Sequence, residues 1–136
     1  MPVRVLRVYH GGRDPAHRER DRALVRAGIE LTLVVPKTWP EGASSESFAD
    51  EPFEVIALPV HRPGDVNRHR FVDADAVAAL VATRNPDVVD LHQEPFSSVV
   101  RQVLRSLPPP GRWSATPRRT STSVSRRRSP SGNTGR

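Results

Sequence analysis

The hydrophobic positions of this chain fall into four short runs that alternate with charged or polar stretches. The runs are residues 3–9 (VRVLRVY), 29–35 (IELTLVV), 53–60 (FEVIALPV) and 87–92 (DVVDLH). Each is rich in aliphatic and β-branched residues and is followed by glycine, proline or polar residues, which is typical of β-strands. The second run is apolar almost throughout, as expected for a strand covered on both faces of its sheet.

The stretches between the runs predict helices. Residues 15–27 are charged and helix-forming, and Gly28 stands where a helix often ends. A second helix is predicted to start at a cap formed by Asp73 or Asp75, to run to about residue 84 and to stop at Asn85 and Pro86. A third covers residues 96–107, opened by Pro95.

The order of these elements predicts an α/β fold. Residues 3–35 follow the order strand, Gly-Gly turn, helix, strand, which defines a βαβ unit with parallel strands. We therefore expect a partial doubly wound parallel sheet of about four strands, Rossmann-like, in residues 1–109. The predicted strand order is third, second, first, fourth, so that the first and fourth strands are neighbours.

The charge is divided unevenly along the chain. The net charge of +6 includes seven arginines in residues 110–136, where there is no acidic residue, and leaves 14 basic against 15 acidic residues in 1–109. The only large apolar residues after Gly111 are Trp113 and Val124, too few to form a core. The sequence therefore predicts a nearly neutral folded domain and a disordered, basic tail rich in Arg, Ser and Pro.

Composition excludes several kinds of chemistry. Because the chain has no cysteine, it forms no disulfide, thiolate metal site or cysteine nucleophile. No apolar run approaches the roughly 18 residues of a membrane span, and arginines interrupt the start of the chain, unlike a secretory signal. A cytoplasmic protein without a transmembrane segment is the expectation.

The first candidate site is the Gly11-Gly12 turn after the first strand. Glycines there allow a ligand to approach the backbone closely, and the helix that follows offers N–H groups to a phosphate. The complete G-x-G-x-x-G pattern is absent, since the run reads His10-Gly11-Gly12-Arg13-Asp14-Pro15. A tight turn without a ligand is an equally good interpretation of the two glycines.

The second candidate is His92 at the end of the fourth strand. Ligands of open α/β sheets bind outside the carboxyl ends of the strands, near the point where the strand order reverses. His92 would then lie close to Gly11 and Gly12 and could hydrogen-bond a phosphate or a sugar hydroxyl. The alternative is a solvated or capping histidine.

No metal site is predicted. Asp14, His17 and Glu19 lie together at the start of the first helix, but their spacing is better explained as a solvated, charged helix face. His61 and His69 have no partners at a spacing typical of metal ligands.

Three segments together resemble the N-terminal domain of the family-four retaining glycosyltransferases, which have two facing Rossmann domains (the GT-B arrangement). They are VRVLRVYHGG, RDRALVRAGIELTLVVP and NPDVVDLHQEPFS, and the resemblance covers residues 2–107. It implies sugar transfer from a nucleotide-sugar donor to an acceptor, with no metal or other cofactor. It implies a catalytic position at His92, contacts of Gly11, Gly12 and Glu94 with the donor phosphate or the acceptor, and acceptor selection by loops near 37–50 and 61–71.

The family's second domain, which binds most of the donor, has no counterpart in this sequence. We therefore expect a fragment that is inactive alone. The abrupt change after Gly111 is also consistent with a frame-shifted tail, because a shifted reading of plausible GC-rich codons can give a strand-like Val-Val-Gly-Tyr. The alternative function is a small nucleotide- or polyanion-binding module whose basic tail contacts nucleic acid non-specifically.

Overall fold

The structure, a computed structural model, describes residues 2–40, 48–108, 114–115 and 123–127. Its main sheet has six strands in the order β3-β2-β1-β6-β8-β7, and a separate two-stranded ribbon is formed by β4 and β5. The strands are β1 (Arg4–Val8), β2 (Glu30–Pro36), β3 (Glu54–Leu58), β4 (Val60–His61), β5 (Arg70–Phe71), β6 (Val88–His92), β7 (Ser114–Ala115) and β8 (Ser123–Arg127). The helices are α1 (Glu19–Arg26), α2 (Ala76–Arg84) and α3 (Ser98–Ser106).

The predicted fold class is confirmed. β3, β2, β1 and β6 are mutually parallel and lie in the predicted order. Their register places Val8 of β1 beside Val34 of β2 and Leu91 of β6. The carboxyl ends of these three strands therefore lie along one edge of the sheet, where the loops that follow them come together.

One face of this sheet carries the hydrophobic core. Side chains of β1 and β6 alternate, so that Leu6, Val8, Val89 and Leu91 are buried on the same side. Helices α2 and α3 cover that side, with α3 contributing Val99, Val100 and Val103, spaced as one helical face. The core thus fixes the sheet and the start of α3, which follows the end of β6.

Several boundaries differ from those predicted. The first helix begins at Glu19, because His10–Arg13 and Pro15–Arg18 form two short 3-10 turns. The third helix begins at Ser98, since the Ser97 hydroxyl caps it by accepting a hydrogen bond from the Val100 N–H (3.4 Å), so Pro95 does not open it.

The other helix ends follow the sequence closely. Gly28 has a φ of +92°, the left-handed conformation expected after a helix. Asn85 adopts the left-handed region at φ +50° and ends α2 as predicted. Asp75 is at the N-cap of α2, but its side chain makes no capping hydrogen bond, and the Asp73 carboxylate accepts from the Asp75 N–H (2.9 Å).

The third predicted strand divides at Pro59 into β3 and β4. The segment near 61–71, predicted as a loop, includes β5, which pairs antiparallel with β4. Proline lacks an N–H, which explains why the parallel ladder does not continue through residue 59. The carbonyl oxygen of Pro59 still accepts a hydrogen bond from the Val72 N–H at 2.9 Å.

Two stretches of the segment expected to be disordered form strands. β8 pairs antiparallel with β6 along its whole length, from Val88 opposite Arg127 to His92 opposite Ser123, and β7 pairs with β8. The physical reason lies at the edge of β6, where backbone N–H and C=O groups need hydrogen-bond partners. The backbone of the tail can supply these partners even though few of its side chains are hydrophobic. The remainder of residues 109–136 lies outside the described residues, as do residues 41–47 of the first predicted acceptor loop, near 37–50.

No helix within the described ranges is long and apolar enough to cross a membrane.

Candidate functional site

A cleft of about 290 Å³ opens at the carboxyl ends of β1 and β2. Its walls come from three loops: the one after β1, the one after β2, and the one that joins β4 to β5. The lining includes Tyr9, His10, Gly11, Trp39 and Val66. Because the strand order reverses between β1 and β6, the cleft lies at the place where open α/β sheets bind ligands.

Aromatic rings cluster at this cleft, and three of them, Tyr9, His10 and Trp39, line it. The ring centroids of His10 and Trp39 are 5.2 Å apart, and the two ring planes are tilted by 32°. The His69 ring meets the Trp39 ring edge-on, with 4.9 Å between their centroids. Tyr9 packs against His10 at 5.5 Å and meets His92 edge-on at 4.6 Å. Five rings from four different chain segments are therefore in contact at one edge of the sheet.

His10 is held across the switch point by Gln93. The Nδ1 atom of His10 lies 2.6 Å from Oε1 of Gln93, which is the residue directly after β6 and is buried. The side chain of a residue following β1 is thus tied to that of a residue following β6. Neither residue was predicted as a site residue, although each is the first residue beyond a predicted strand. Gln93 also directly follows His92, the predicted site histidine.

His69 is the buried member of the ring cluster. Its Nδ1 lies 2.8 Å from the backbone oxygen of Asp65, which can only accept, so the ring donates from Nδ1. Burial lowers the pKa of His69 below its ordinary value, and the backbone hydrogen bond opposes this effect less strongly. His69 therefore favours the neutral form, which adds no positive charge to the cleft.

His92, the predicted catalytic residue, lies behind Tyr9 and is not among the residues that line the cleft. It is half-buried, and its Nδ1 is a buried atom with no hydrogen-bond partner among the described residues. Burial, followed by the nearby Arg7 guanidinium, lowers the pKa of His92. The neutral imidazole is therefore favoured at neutral pH.

A buried ionic cluster explains part of this environment. Arg7 of β1 contacts Asp21 of α1 and lies 3.6 Å from Asp90 of β6, and its guanidinium is 5.0 Å from the Tyr9 ring. Burial raises the pKa of Asp21, and the charge of Arg7 opposes that shift. The cluster ties α1 to the two central strands beneath Tyr9 and His92.

The two glycines of the candidate turn have different surroundings. Gly11 lines the cleft, and a Cβ there would collide with the Tyr9 ring. Gly12 is buried, and a Cβ there would lie 2.9 Å from Cδ2 of Leu33. A Cβ at either position would have to displace a neighbouring side chain, and Gly11 alone of the two lines the cleft.

The turn itself is fixed by Arg18. Its Nε donates to the backbone oxygen of Gly12 at 2.5 Å and its second terminal nitrogen donates to that of Arg13 at 2.8 Å. Glu51 lies 3.1 Å from Arg18 and also pairs with Arg22, so these side chains tie the turn to α1 and to the segment before β3. Side-chain hydrogen bonds therefore hold the backbone carbonyls of the turn.

The start of α1 does not resemble a phosphate site. The helix begins beyond the second 3-10 turn, and its first turn carries the acidic residues Glu19 and Asp21. The Asp14 carboxylate accepts from the Ala16 N–H at 2.9 Å. Negative side chains thus occupy the region where the helix dipole would otherwise attract an anion.

Glu94 is exposed and is not among the residues that line the cleft. Its backbone oxygen accepts from the Ser97 N–H at 3.0 Å, in the turn before α3. Its role in binding stays a prediction. Among the described residues, no group of three or more acidic or histidine side chains is arranged to hold a metal ion.

The site therefore combines a Gly-Gly turn held by side-chain hydrogen bonds, an aromatic cleft and a histidine held by a buried glutamine, all at the switch point of a parallel sheet. Comparison of the chain with known proteins finds no matching family model, no matching curated protein and no matching solved structure.

Proposed function

We propose that this chain is the N-terminal, Rossmann-like domain of a family-four glycosyltransferase and that it transfers no sugar without a donor-binding second domain. The observation that carries the proposal is the position of the cleft, at the carboxyl ends of β1 and β2 beside the reversal of strand order. In the family the sequence resembles, this edge of the domain faces the reacting sugars. The cleft is lined by aromatic rings together with a few polar groups, a composition typical of small-molecule binding sites.

In this proposal Gly11 contacts the substrates directly, since it lines the cleft. Gly12 supports the turn from below, packed on Leu33. His92 acts near the reacting sugar once Tyr9, which covers it, moves aside, and Glu94 lies on the exposed rim. No metal takes part, and the nucleotide-sugar is the donor substrate.

The test is a transfer assay with the purified 136-residue chain. We expect no sugar transfer from UDP-glucose or GDP-mannose to glycoside acceptors and no tight binding of either nucleotide-sugar by calorimetry. Turnover by the chain alone would show that it needs no second domain. Loss of that turnover in His92→Gln would then show where the reaction occurs.

A second measurement tests the family assignment itself. We propose that the coding DNA continues, in another reading frame after the codon of Leu107, with further strands and a second Rossmann pattern. Sequencing several hundred bases downstream of that codon and translating three frames decides this. Without such a continuation, the frame-shift proposal is wrong and the tail is the intended product.

The second candidate function is a polyanion-binding module. It is favoured by the seven arginines, without any acidic residue, in residues 110–136. Nucleic-acid binding measured by fluorescence anisotropy would fall steeply with salt under either function, because it depends on phosphate neutralisation. A preference for one oligonucleotide sequence at constant salt would favour this second function.

A further inference from the structure

Four buried polar atoms lie on the face of the sheet that is turned toward α1. They are Nε of Arg7, Oδ2 of Asp21, Oδ1 of Asp90 and Nδ1 of His92, and none has a hydrogen-bond partner among the described residues. The side chains of Arg7 and Asp21 are 2% and 0% exposed, so bulk solvent does not reach them. Because buried polar atoms in folded proteins nearly always have a hydrogen-bond partner, four such atoms in one cluster call for a common explanation.

The backbone brings these four atoms together. Arg7 is the register partner of Asp90 across β1 and β6, and Nε of Arg7 lies 3.6 Å from Oδ2 of Asp90. His92 follows Asp90 by two residues on β6, so both side chains lie on the same face of the strand. The terminal nitrogen Nη1 of Arg7 contacts Oδ1 of Asp21. The four atoms are therefore grouped around the guanidinium of Arg7.

The charges of this cluster favour a neutral ligand. A bound anion would meet the two carboxylates, and a bound cation would meet the Arg7 guanidinium. Nε of Arg7 can only donate a hydrogen bond, and the ionised carboxylate oxygens of Asp21 and Asp90 can only accept. A ligand that satisfies all of them must be small, uncharged and both a donor and an acceptor.

A water molecule has these properties, and internal waters typically make two to four hydrogen bonds to buried polar groups. One water can donate to Oδ2 of Asp21 and to Oδ1 of Asp90 while it accepts from Nε of Arg7. Its remaining position is an acceptor, so the fourth partner must be a donor. Nδ1 of His92 fills that position when it carries the ring proton.

We propose that this cluster is a binding site for one internal water molecule, which bridges the four atoms and fixes His92 as its Nδ1–H tautomer. The lone pair of the neutral ring then lies on Nε2. Arg7 and Asp90 are positioning residues in this arrangement, because they act on His92 through the water. The inference rests on the proposed function only in giving His92 a role, and both the water and the tautomer are measured without sugar transfer.

The first measurement is made on the full chain at pH 7.5. Water-selective NOE and ROE spectra record magnetisation transfer from water to the Nε–H proton of Arg7, and opposite signs in the two spectra distinguish a bound water from proton exchange. The ¹⁵N shifts of the His92 ring report which nitrogen is protonated. We expect a bound-water signal at Arg7 and a protonated Nδ1. A protonated Nε2, or no bound-water signal, would overturn the inference.

The variant Asp90→Asn tests whether the water sets the tautomer. The amide oxygen should take the position of Oδ2, 3.6 Å from Nε of Arg7, which places the NH₂ group at the position of Oδ1. The water then accepts from the amide and from Arg7, so it can only donate to His92. We expect the ring to lose its Nδ1 proton and to adopt the Nε2–H tautomer. A folded variant that keeps the proton on Nδ1 would contradict the inference.

The matched control is Asp87→Asn, the same change in a carboxylate that lies just before β6 and accepts from the Arg4 backbone N–H at 2.9 Å. Asp87 is outside the cluster, so we expect the tautomer and the water signal of the parent chain. If Asp90→Asn does not fold, the two measurements on the parent chain still decide between support and rejection.

A second variant distinguishes water from a hydroxyl of the protein. Ser125 stands opposite Asp90 in the ladder between β6 and β8, and Ser125→Ala removes its hydroxyl. We expect the bound-water signal at Arg7 and the Nδ1–H tautomer of His92 to persist in this variant. Loss of both would assign the bridging group to the serine, and the proposed water site would be wrong.

Discussion

Arg7 of β1 and Asp21 of α1 form an ion pair that is almost completely buried, with side chains 2% and 0% exposed. The pair joins the central strand of the sheet to the helix that follows the Gly-Gly turn. Asp90 of β6 completes the cluster 3.6 Å from Nε of Arg7. One guanidinium therefore serves two carboxylates, and Oδ2 of Asp21 has no partner among the described residues.

Removing one member of this pair should destabilise the protein strongly. We expect Arg7→Met to lower the free energy of unfolding by about 3–5 kcal/mol, because it leaves a buried carboxylate without its cation. Urea unfolding followed by circular dichroism measures this. The control is Arg4→Met, which breaks the exposed Arg4–Glu30 pair (3.0 Å) and should cost less than about 1 kcal/mol. Equal losses in the two variants would contradict the prediction.

Stability should fall on mild acidification because of two histidines. Burial lowers the pKa of His69 and His92 below the ordinary value of 6.5. Just below that pH the unfolded chain binds more protons than the folded one, so each histidine contributes stability above pH 6.5 that is lost as the pH falls through its folded pKa. We expect a lower free energy of unfolding at pH 5.5 than at pH 7.5.

The variant His92→Gln isolates this effect. Asp21 has the opposite effect on stability, because its pKa is raised in the folded protein. It contributes stability that is present below pH 3.8, its ordinary pKa, and that is lost as the pH rises through its folded pKa. The slope of stability against pH between 5.5 and 7.5 should therefore be flatter in His92→Gln than in the parent chain. Parallel slopes would show that His92 titrates alike in the folded and unfolded chains.

A side chain at Gly12 should strain the sheet below the turn. The Cβ of Gly12→Ala would lie 2.9 Å from Cδ2 of Leu33 and 3.2 Å from Cγ1 of Val35. Overpacking of this kind costs about 1–3 kcal/mol, and we expect that loss together with shifted Leu33 methyl signals in NMR spectra. Gly28→Ala is the control, because a Cβ there meets open space and only the backbone at φ +92° is strained. It should leave Leu33 unaffected.

The antiparallel pairing of β8 can be broken without touching the core. Ser125 lies opposite Asp90 in the ladder, and proline at this position removes an N–H and disfavours a central strand. We expect Ser125→Pro to speed hydrogen exchange at the β6 amides that face β8, while β1 and β2 remain protected. Ser131→Pro, outside the strand, is the control. Unchanged exchange in Ser125→Pro would mean that β8 does not protect β6.

The parallel sheet could be predicted from the sequence because its signals are local. Runs such as IELTLVV are long enough to identify a strand covered on both faces, and Gly28 and Asn85 end helices by their own conformational preferences. The order of β1 and β6 then followed from general rules of α/β topology. Boundaries were less accurate where a side chain decided them, as at Ser97 and at Pro59.

The site was harder to predict, because its contacts join residues distant in sequence. His10 and Gln93 are 83 positions apart, and neither has a spacing that identifies it as a ligand-binding residue. The prediction placed the site at the edge of the sheet where the cleft lies, but His92, the histidine that it named, contacts Tyr9 and is not among the residues that line the cleft. Residue type and strand position indicate an edge, and only packing shows which side chains line the cleft.

The mixed direction of the sheet has a consequence for how the chain behaves at high concentration. β8 occupies the side of β6 that would otherwise present five residues of unpaired backbone, and the outermost described strand beyond it, β7, has only two residues. So short an edge offers few backbone groups on which another molecule could add a strand, which is one way that proteins limit intermolecular β-assembly. At the opposite edge of this sheet β3 presents five residues, so among its described outer strands β3 is the longer template for fibril-like growth.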